Sequence, residues 1–293
     1  MKKVFFLALA ISGAVCSCSP VEEPATVSPN IDIKVDGELQ DTTVTIHFTQ
    51  LYIEPMSART RATLSESGMT HLDLWLSDGE NTTDVHQTSS DANYGTVTMT
   101  LNKTKTYTLY AIAHKAADAC ELTNGIIAYP DDKVKESFFY STTFTPATTA
   151  SINCEMNRIT GKFTLQTTDA VPAEVDHFRF TIANTGIRFN AATQSPAEVT
   201  ERIVDFTSIS RNKTDNTCSF ACQILSTTAA SSNFTITATA YRSDNSIVET
   251  KTFENVPIRN NYRTTLSGAF FTSSALSLSF TASDWNDYDT ISF

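Results

Sequence analysis

The chain has 293 residues, with 21 basic against 32 acidic side chains and a formal net charge of -11. That balance, with no stretch that interleaves Lys or Arg with aromatics, excludes nucleic acid as a partner, because phosphate recognition wants clustered cations. Beyond the N-terminus no apolar run reaches the ~20 residues that a helix needs to cross a bilayer, and the acidic surplus suits a soluble extracellular body.

The chain opens on a cationic Met1-Lys2-Lys3, followed by an apolar run from Val4 to Val15 and then Cys16-Ser17-Cys18-Ser19-Pro20. The run is too short for a membrane span and fits a secretory signal over residues 1–17. A small residue followed by cysteine resembles a bacterial lipobox, in which the first mature cysteine carries the lipid. Cys18 has Val15 three residues before it and small Ser17 immediately before it, whereas Cys16 follows branched Val15, so Cys18 is the expected attachment point. The competing reading is an ordinary signal peptide with incidental cysteines. Residues 18–30 are polar and hold three prolines, which reads as a semi-extended tether. Lipidation there converts a soluble body into an outer-membrane lipoprotein, expected at the cell surface. Glu22 and Glu23, just after the cysteine, resemble the surface-export signal of the Bacteroides group.

From residue 31 onward, period-2 alternation recurs, the signature of half-buried strands. In chain order it marks Ile31, Ile33 and Val35; Val44, Ile46 and Phe48; Leu72, Leu74 and Leu76; Val97, Met99 and Leu101; and Tyr107, Leu109, Ala111 and Ala113. The second half continues with Phe163 and Leu165; Phe178, Phe180 and Ile182; Cys218, Phe220, Cys222 and Ile224; Phe234, Ile236, Ala238 and Ala240; and Leu276, Leu278 and Phe280. Turn chemistry separates them at Ser77-Asp78-Gly79, Asn184-Thr185-Gly186 and Ser243-Asp244-Asn245-Ser246. The expected class is all-β, of sandwich type.

Two short helical signals interrupt this pattern. Ser195-Pro196-Ala197-Glu198 combines an N-cap serine, a first-turn proline and a capping-box glutamate, and predicts a turn or two of helix to about Arg202. Asp132 to Glu136 predicts another. A domain boundary is expected near Asn153 to Asn157, after the Thr-rich stretch Thr142 to Ala150, giving domains at 31–155 and 156–293, each of ordinary size.

Motifs for chemistry are absent: there is no nucleophile elbow, no His-Glu-x-x-His, no phosphate-binding glycine loop and no Cys-x-x-Cys. The five histidines are scattered singly, and His71 and His114, which flank strands, read as structural. No catalytic residue is nominated, the protein is expected not to be an enzyme, and no cofactor or metal is expected. Asp284-Trp-Asn-Asp-Tyr-Asp289 is the densest acidic cluster, but it lacks the glycine and terminal glutamate of a calcium loop; it reads as a solvated strand end anchored by Trp285. Cys218 and Cys222 share one face of a strand about 13 Å apart, beyond the roughly 7 Å limit for a disulfide. Cys120 with Cys154 is a conceivable pair; four buried thiols is the alternative. Arg59-Thr60-Arg61 lies in a polar stretch, Ser57 to Ser67, with little to bury. It reads either as a proteolytic processing site or as a plain basic loop.

At this point the residues resemble a family. His71-Leu-x-Leu-x-Leu76, Asp78-Gly79, Gln87, Asp91, Tyr94-Gly95, Leu101, Tyr107-Thr-Leu109, Ala111-Ile-Ala-His114 and Phe138-Phe139 are similar to the first domain of the FimB-type fimbrial anchor lipoproteins of Bacteroidetes. Arg158-Ile-x-x-Lys-Phe163, Asp169, Pro172-Ala-x-Val175, Phe178 and Phe189-Asn190 continue the likeness, and Arg259-Asn-Asn-Tyr-Arg-Thr264 to Ser267-Gly268 resembles a strand-end motif of the wider fimbrillin superfamily. The resemblance implies two tandem transthyretin-like sandwiches, with fimbrial subunits as partners through strand exchange and the outer membrane as partner through the lipid. In that superfamily polymerising subunits are cut by an arginine-specific protease, which opens a groove for a neighbour's strand; Arg59 or Arg61 stands where such a cut would fall. Anchor subunits keep their lipid and their N-terminal segment, and an uncleaved anchor or minor subunit is expected here. Asp41-Thr-Thr and Asp289-Thr-Ile resemble the short O-glycosylation signal of the same bacteria. The alternative from another class is a surface glycan-binding lipoprotein of a polysaccharide-uptake system, which needs a flat platform of exposed aromatics; Trp75 and Trp285 are the tryptophans available.

Overall fold

The computed structural model describes residues 40–53, 60–226, 232–272, 283–284 and 290–292. The signal, Cys18, the tether, Arg59 and the alternating segments at Ile31–Val35 and Leu276–Phe280 lie outside the described residues. What is described is β-structure linked by turns and one 3-10 turn.

The first strands are β1 (Asp41–Ile53), β2 (Thr60–Ala62), β3 (His71–Ser77), β4 (Thr82–Thr88), β5 (Thr96–Asn102), β6 (Tyr107–His114), β7 (Glu121–Thr123), β8 (Ile126–Ala128), β9 (Ser137–Phe144) and β10 (Ser151–Arg158). All but β7 and β8 form one eight-stranded sheet in the order β2-β1-β10-β9-β6-β3-β4, with β5 also paired to β1. β9 and β10 meet only through Phe138↔Arg158 and Phe139↔Asn157, so two leaves join at a narrow corner. Alternation supplies their shared core: Val44, Ile46 and Phe48 pack in one cluster with Leu72, Leu74 and Leu76, Leu109, Ala111 and Ala113, and Ile152, Cys154 and Met156. Full burial of such a side chain is worth about 1.5–3 kcal/mol.

The remaining strands are β11 (Thr160–Thr167), β12 (His177–Asn190), β13 (Ser195–Phe206), β14 (Ser219–Leu225), β15 (Ser232–Tyr241), β16 (Ile247–Ile258), β17 (Tyr262–Gly268), β18 (Ser283–Asp284) and β19 (Thr290–Ser292). They make a sheet β14-β11-β17-β18 with β19 on β17, and a second sheet β16-β15-β12-β8-β7 with β13 on β12. Between them lies an aromatic core, in which Phe163 meets Phe180 edge-on at 5.4 Å and Phe178 stacks on Phe220 at 4.2 Å between centroids. A third cluster joins Trp75, Ile112 and Phe139 to Phe189 and Leu225. Gly161 is fixed by close approach: a Cβ there would meet the Arg259 carbonyl oxygen at 2.6 Å.

Three local expectations are corrected. Ser195–Arg202 is strand, not helix: Ser195, Pro196, Ala197, Val199, Thr200 and Arg202 each pair with a residue of β12 between Ile182 and Asn190. The capping signal loses to long-range pairing, and Pro196 is tolerated because β13 is an edge strand. Asp132–Glu136 is not a helix either; the 3-10 turn is Pro130–Asp132, and Lys133 beyond it is extended. Asn184-Thr185-Gly186 does not end a strand. β12 runs through it with a register shift between Ile182 and Thr185, and Asn184 takes a φ of 54°, so the turn residues are used for a bulge. The other two turns stand as expected, at Ser77–Thr82 between β3 and β4 and at Arg242–Ser246 between β15 and β16. Asn153 to Asn157 lies inside β10, which ends at Arg158.

Candidate assembly site: the inserted first strand and the outer edge of β13

β1 is hydrogen-bonded along both sides. β10 runs parallel to it from Thr45↔Ser151 to Tyr52↔Asn157. On the other side β5 covers Asp41 to His47 and β2 covers Leu51 to Ile53, both antiparallel. Val44, Ile46, Phe48 and Leu51 are buried beneath it. Together these four side chains are worth about 6–12 kcal/mol, comparable to the whole stability of an ordinary domain, about 5–15 kcal/mol. Loss of β1 would therefore leave an apolar groove between two unpaired strand edges, which only another strand fills well.

The basic tripeptide Arg59-Thr60-Arg61 comes shortly after β1, which ends at Ile53. Thr60 and Arg61 belong to β2, where Arg61 faces Tyr52 of β1; Arg59 lies outside the described residues. The backbone at Arg61 is thus held in a sheet, whereas the sequence suggests an open loop. Thr63 and Glu66 close the next turn, with Glu66 accepting from the Thr63 amide at 2.8 Å and the Thr63 hydroxyl at 2.9 Å.

β13 offers a different surface. Among the described residues it pairs only with β12. Val199 and Ile203 are 63% and 52% exposed. A cleft of about 590 Å³ is lined by the six consecutive residues Thr200 to Asp205, with Lys133, Val134 and Lys135 opposite. Since successive residues of a strand point to opposite faces, a cleft touching all six runs along the main chain. That is where an added strand would hydrogen-bond. Pro196, Glu198, Glu201 and Asp205 are the residue types that restrain indiscriminate pairing at such an edge.

Three of the five histidines, His71, His86 and His114, come together in space. Asp73 of β3 is fully buried, and its Oδ2 accepts from His114 Nε2 at 2.7 Å and from the Cys120 amide at 2.6 Å. Its Oδ1 lies 3.0 Å from His86 Nδ1, and His71 stacks on His114 at 5.3 Å. The signal was in the sequence as register: His71↔His114 and Asp73↔His86 are direct cross-strand partners. Donor atoms of Asp73, His114 and Cys120 lie within 4.8 Å of one another, close enough to suggest a metal centre. The hydrogen bonds argue otherwise. His114 Nδ1 accepts the Ala116 amide at 3.1 Å, so the ring proton sits on Nε2, pointing at Asp73, and no lone pair is free there. Burial, and then the Asp73 carboxylate, push the Cys120 thiol pKa upward, away from the thiolate that a metal needs. The group is a satisfied buried network.

Cys120, Cys154, Cys218 and Cys222 are free and buried, so the Cys120–Cys154 pairing does not occur. Trp75 is 4% exposed and packs in the third cluster, so it cannot serve a flat sugar-binding platform. Asp284 lies in β18 beside Tyr262, and Trp285 to Asp289 lie outside the described residues. Among the described residues no helix is long and apolar enough to cross a membrane.

Comparison with solved structures places the fold. A candidate polysaccharide-binding protein of Bacteroides thetaiotaomicron superposes with a TM-score of 0.50 at 12% identity, over 83% of this chain and 96% of that one. A candidate adhesin of the same species gives a TM-score of 0.49 at 12% identity, again over 83% and 96%. The fimbrial anchor protein Mfa2 of Porphyromonas gingivalis gives 0.42 at 12% identity, over 77% of this chain and 90% of that one. No curated protein matches the chain. One family matches residues 36–289, from before β1 to beyond β18, and the chain belongs to it: the family of unknown function DUF6562.

Proposed function

We propose that the protein is a cell-surface lipoprotein that serves as a fimbrial anchor or minor structural subunit, held to the outer membrane through Cys18 and joined to its neighbours by β-strand addition. The observation that carries this reading is β1, seated between β10 on one side and β5 and β2 on the other, on the N-terminal side of the arginine pair. A subunit that keeps its first strand keeps the chain continuous from its core to Cys18, and force on the body then reaches the membrane. Pairing of Arg61 within β2 supports retention, because a protease needs its substrate locally extended and free of a sheet.

With its own groove filled by β1, such a subunit meets a partner through another edge. The outer side of β13, with exposed Val199 and Ile203 and the cleft along Thr200 to Asp205, is the edge best suited. Two tandem sandwiches meeting near β10 complete the reading. Substituting Val199→Lys together with Ile203→Lys places two cations on the β13 edge without touching the core. Partners that co-purify with the wild-type protein from detergent-extracted outer membranes should be lost, with circular dichroism unchanged. Undiminished co-purification would remove β13 as the accepting edge.

A further inference from the structure

A second, open cleft, which shares no lining residue with β1 or β13, lies at the end of the β11–β14 pair. It measures about 550 Å³ and is lined by Arg211 and Lys213 together with Gln166, Ser210, Asn212 and Ser219 among others, none of them acidic. Ligand sites commonly fall between about 300 and 1,000 Å³. Its two cations stand out in a protein of net charge -11. Arg211 Nη2 donates to the carbonyl oxygens of Pro172 at 3.2 Å and Val175 at 2.6 Å, both uncharged partners. Its Nε is buried with no hydrogen-bond partner, an arrangement that native interiors usually avoid. Lys213, which is exposed, is in no ion pair among the described residues. The carboxylate of this loop, Asp215, is turned onto Thr217, accepting from its amide at 3.0 Å and its hydroxyl at 2.8 Å, and is not part of the lining.

We propose that this cavity binds an acidic sugar of the uronic acid class. The carboxylate would be held by Arg211 and Lys213, since cations recognise it through charge-assisted hydrogen bonds. The sugar hydroxyls would be held by the side chains of Gln166, Ser210, Asn212 and Ser219, which both donate and accept. A bare anion leaves those four unused, and a neutral sugar leaves both cations unanswered. No aromatic side chain lines the cavity, so binding is weak and rests on charge and hydrogen bonds. The site is separate from β1 and β13, and the inference does not depend on the assembly reading.

The test is titration of the folded protein with sodium glucuronate, with glucose and acetate as controls, followed by calorimetry or NMR shifts. Glucuronate should bind saturably at millimolar concentration, more tightly than acetate, while glucose should not bind. Because Lys213 is exposed and in no ion pair among the described residues, Lys213→Ala should leave the fold intact and weaken glucuronate binding about tenfold, the scale of one charge-assisted contact. Added salt should weaken it too. Absence of glucuronate binding, acetate binding as tightly as glucuronate, or an unaltered affinity in Lys213→Ala would each overturn the proposal.

Discussion

Arg158 Nη2 donates to Glu136 Oε1 at 3.0 Å, at a point where the arginine side chain is only 2% exposed. Arg158 ends β10, and its Nη1 also donates to Asn261 Oδ1, 2.8 Å away, just before β17. Glu136 is shared with Lys115 at 2.7 Å, and the guanidinium stands 4.7 Å from the centre of the Phe138 ring. One side chain thus ties the end of the first sheet to the strands that follow it. Glu136 keeps Lys115 in Arg158→Ala, so the variant should lose about 1.5–3 kcal/mol in urea unfolding, the scale of a hydrogen bond to a charged group. If the loss stays below about 1 kcal/mol, the value of an exposed pair, the network does not hold the two parts together.

Asp73→Ala should be as costly. It strands the His114 Nε2 proton and the Cys120 amide in the interior, and each buried donor without an acceptor costs about 1–3 kcal/mol. Thermal unfolding should show the loss. Added zinc should not stabilise the wild type, since the donor atoms are already satisfied by protons.

His71 sets a pH dependence. Burial lowers its pKa below the ordinary histidine value of 6.5. A lowered folded-state pKa means that the unfolded chain binds more protons, so stability rises with pH through this window. The contribution is full above 6.5 and fades as pH falls through the window below it. Urea midpoints measured between pH 7.5 and 5 should therefore fall with pH, and His71→Gln should flatten that slope. An unchanged slope in the variant would place the pH dependence elsewhere.

The thiols should be inert. Burial pushes Cys154 up to about 12 and Cys222 up to about 11, and the thiolate is the species that reacts. In the native protein Cys120, Cys154 and Cys222 should resist iodoacetamide, and all three should label after unfolding in denaturant. Rapid native labelling at any of them would show that the core opens locally.

Much of the fold was legible because alternation is a local signal with one dominant cause, burial of every second residue. Leu72, Leu74 and Leu76 and Phe178, Phe180 and Ile182 carry it plainly, and both sets are core. Strands buried on both faces carry no alternation: Phe138 and Phe139 of β9 point into different clusters, and β9 went unread. β13 carries an intact capping signature that only pairing with β12 overrides. The aspartate–histidine network escaped notice for a related reason. Its members come from β3, β4 and β6 and the loop after β6, and nothing in single-residue spacing announces the register that joins them. The cleft at Arg211 and Lys213 is equally hidden, since its cations are ordinary until their lack of anionic partners among the described residues is known. Arg59 and Arg61 could be named as candidates, yet only the pairing of Arg61 with Tyr52 relates them to a sheet.

Whether β1 stays attached to the lipid separates an anchor from a polymerising subunit. Intact mass spectrometry of the protein purified from the outer surface of the cells that make it measures this directly. The expected mature chain begins at an acylated Cys18 and runs unbroken through Arg59 and Arg61 into β3. A mature chain beginning at Thr60 or Ala62 would contradict it: β1 would then be released, its groove between β10 and β5 open to a neighbour's strand, and the protein a polymerising subunit.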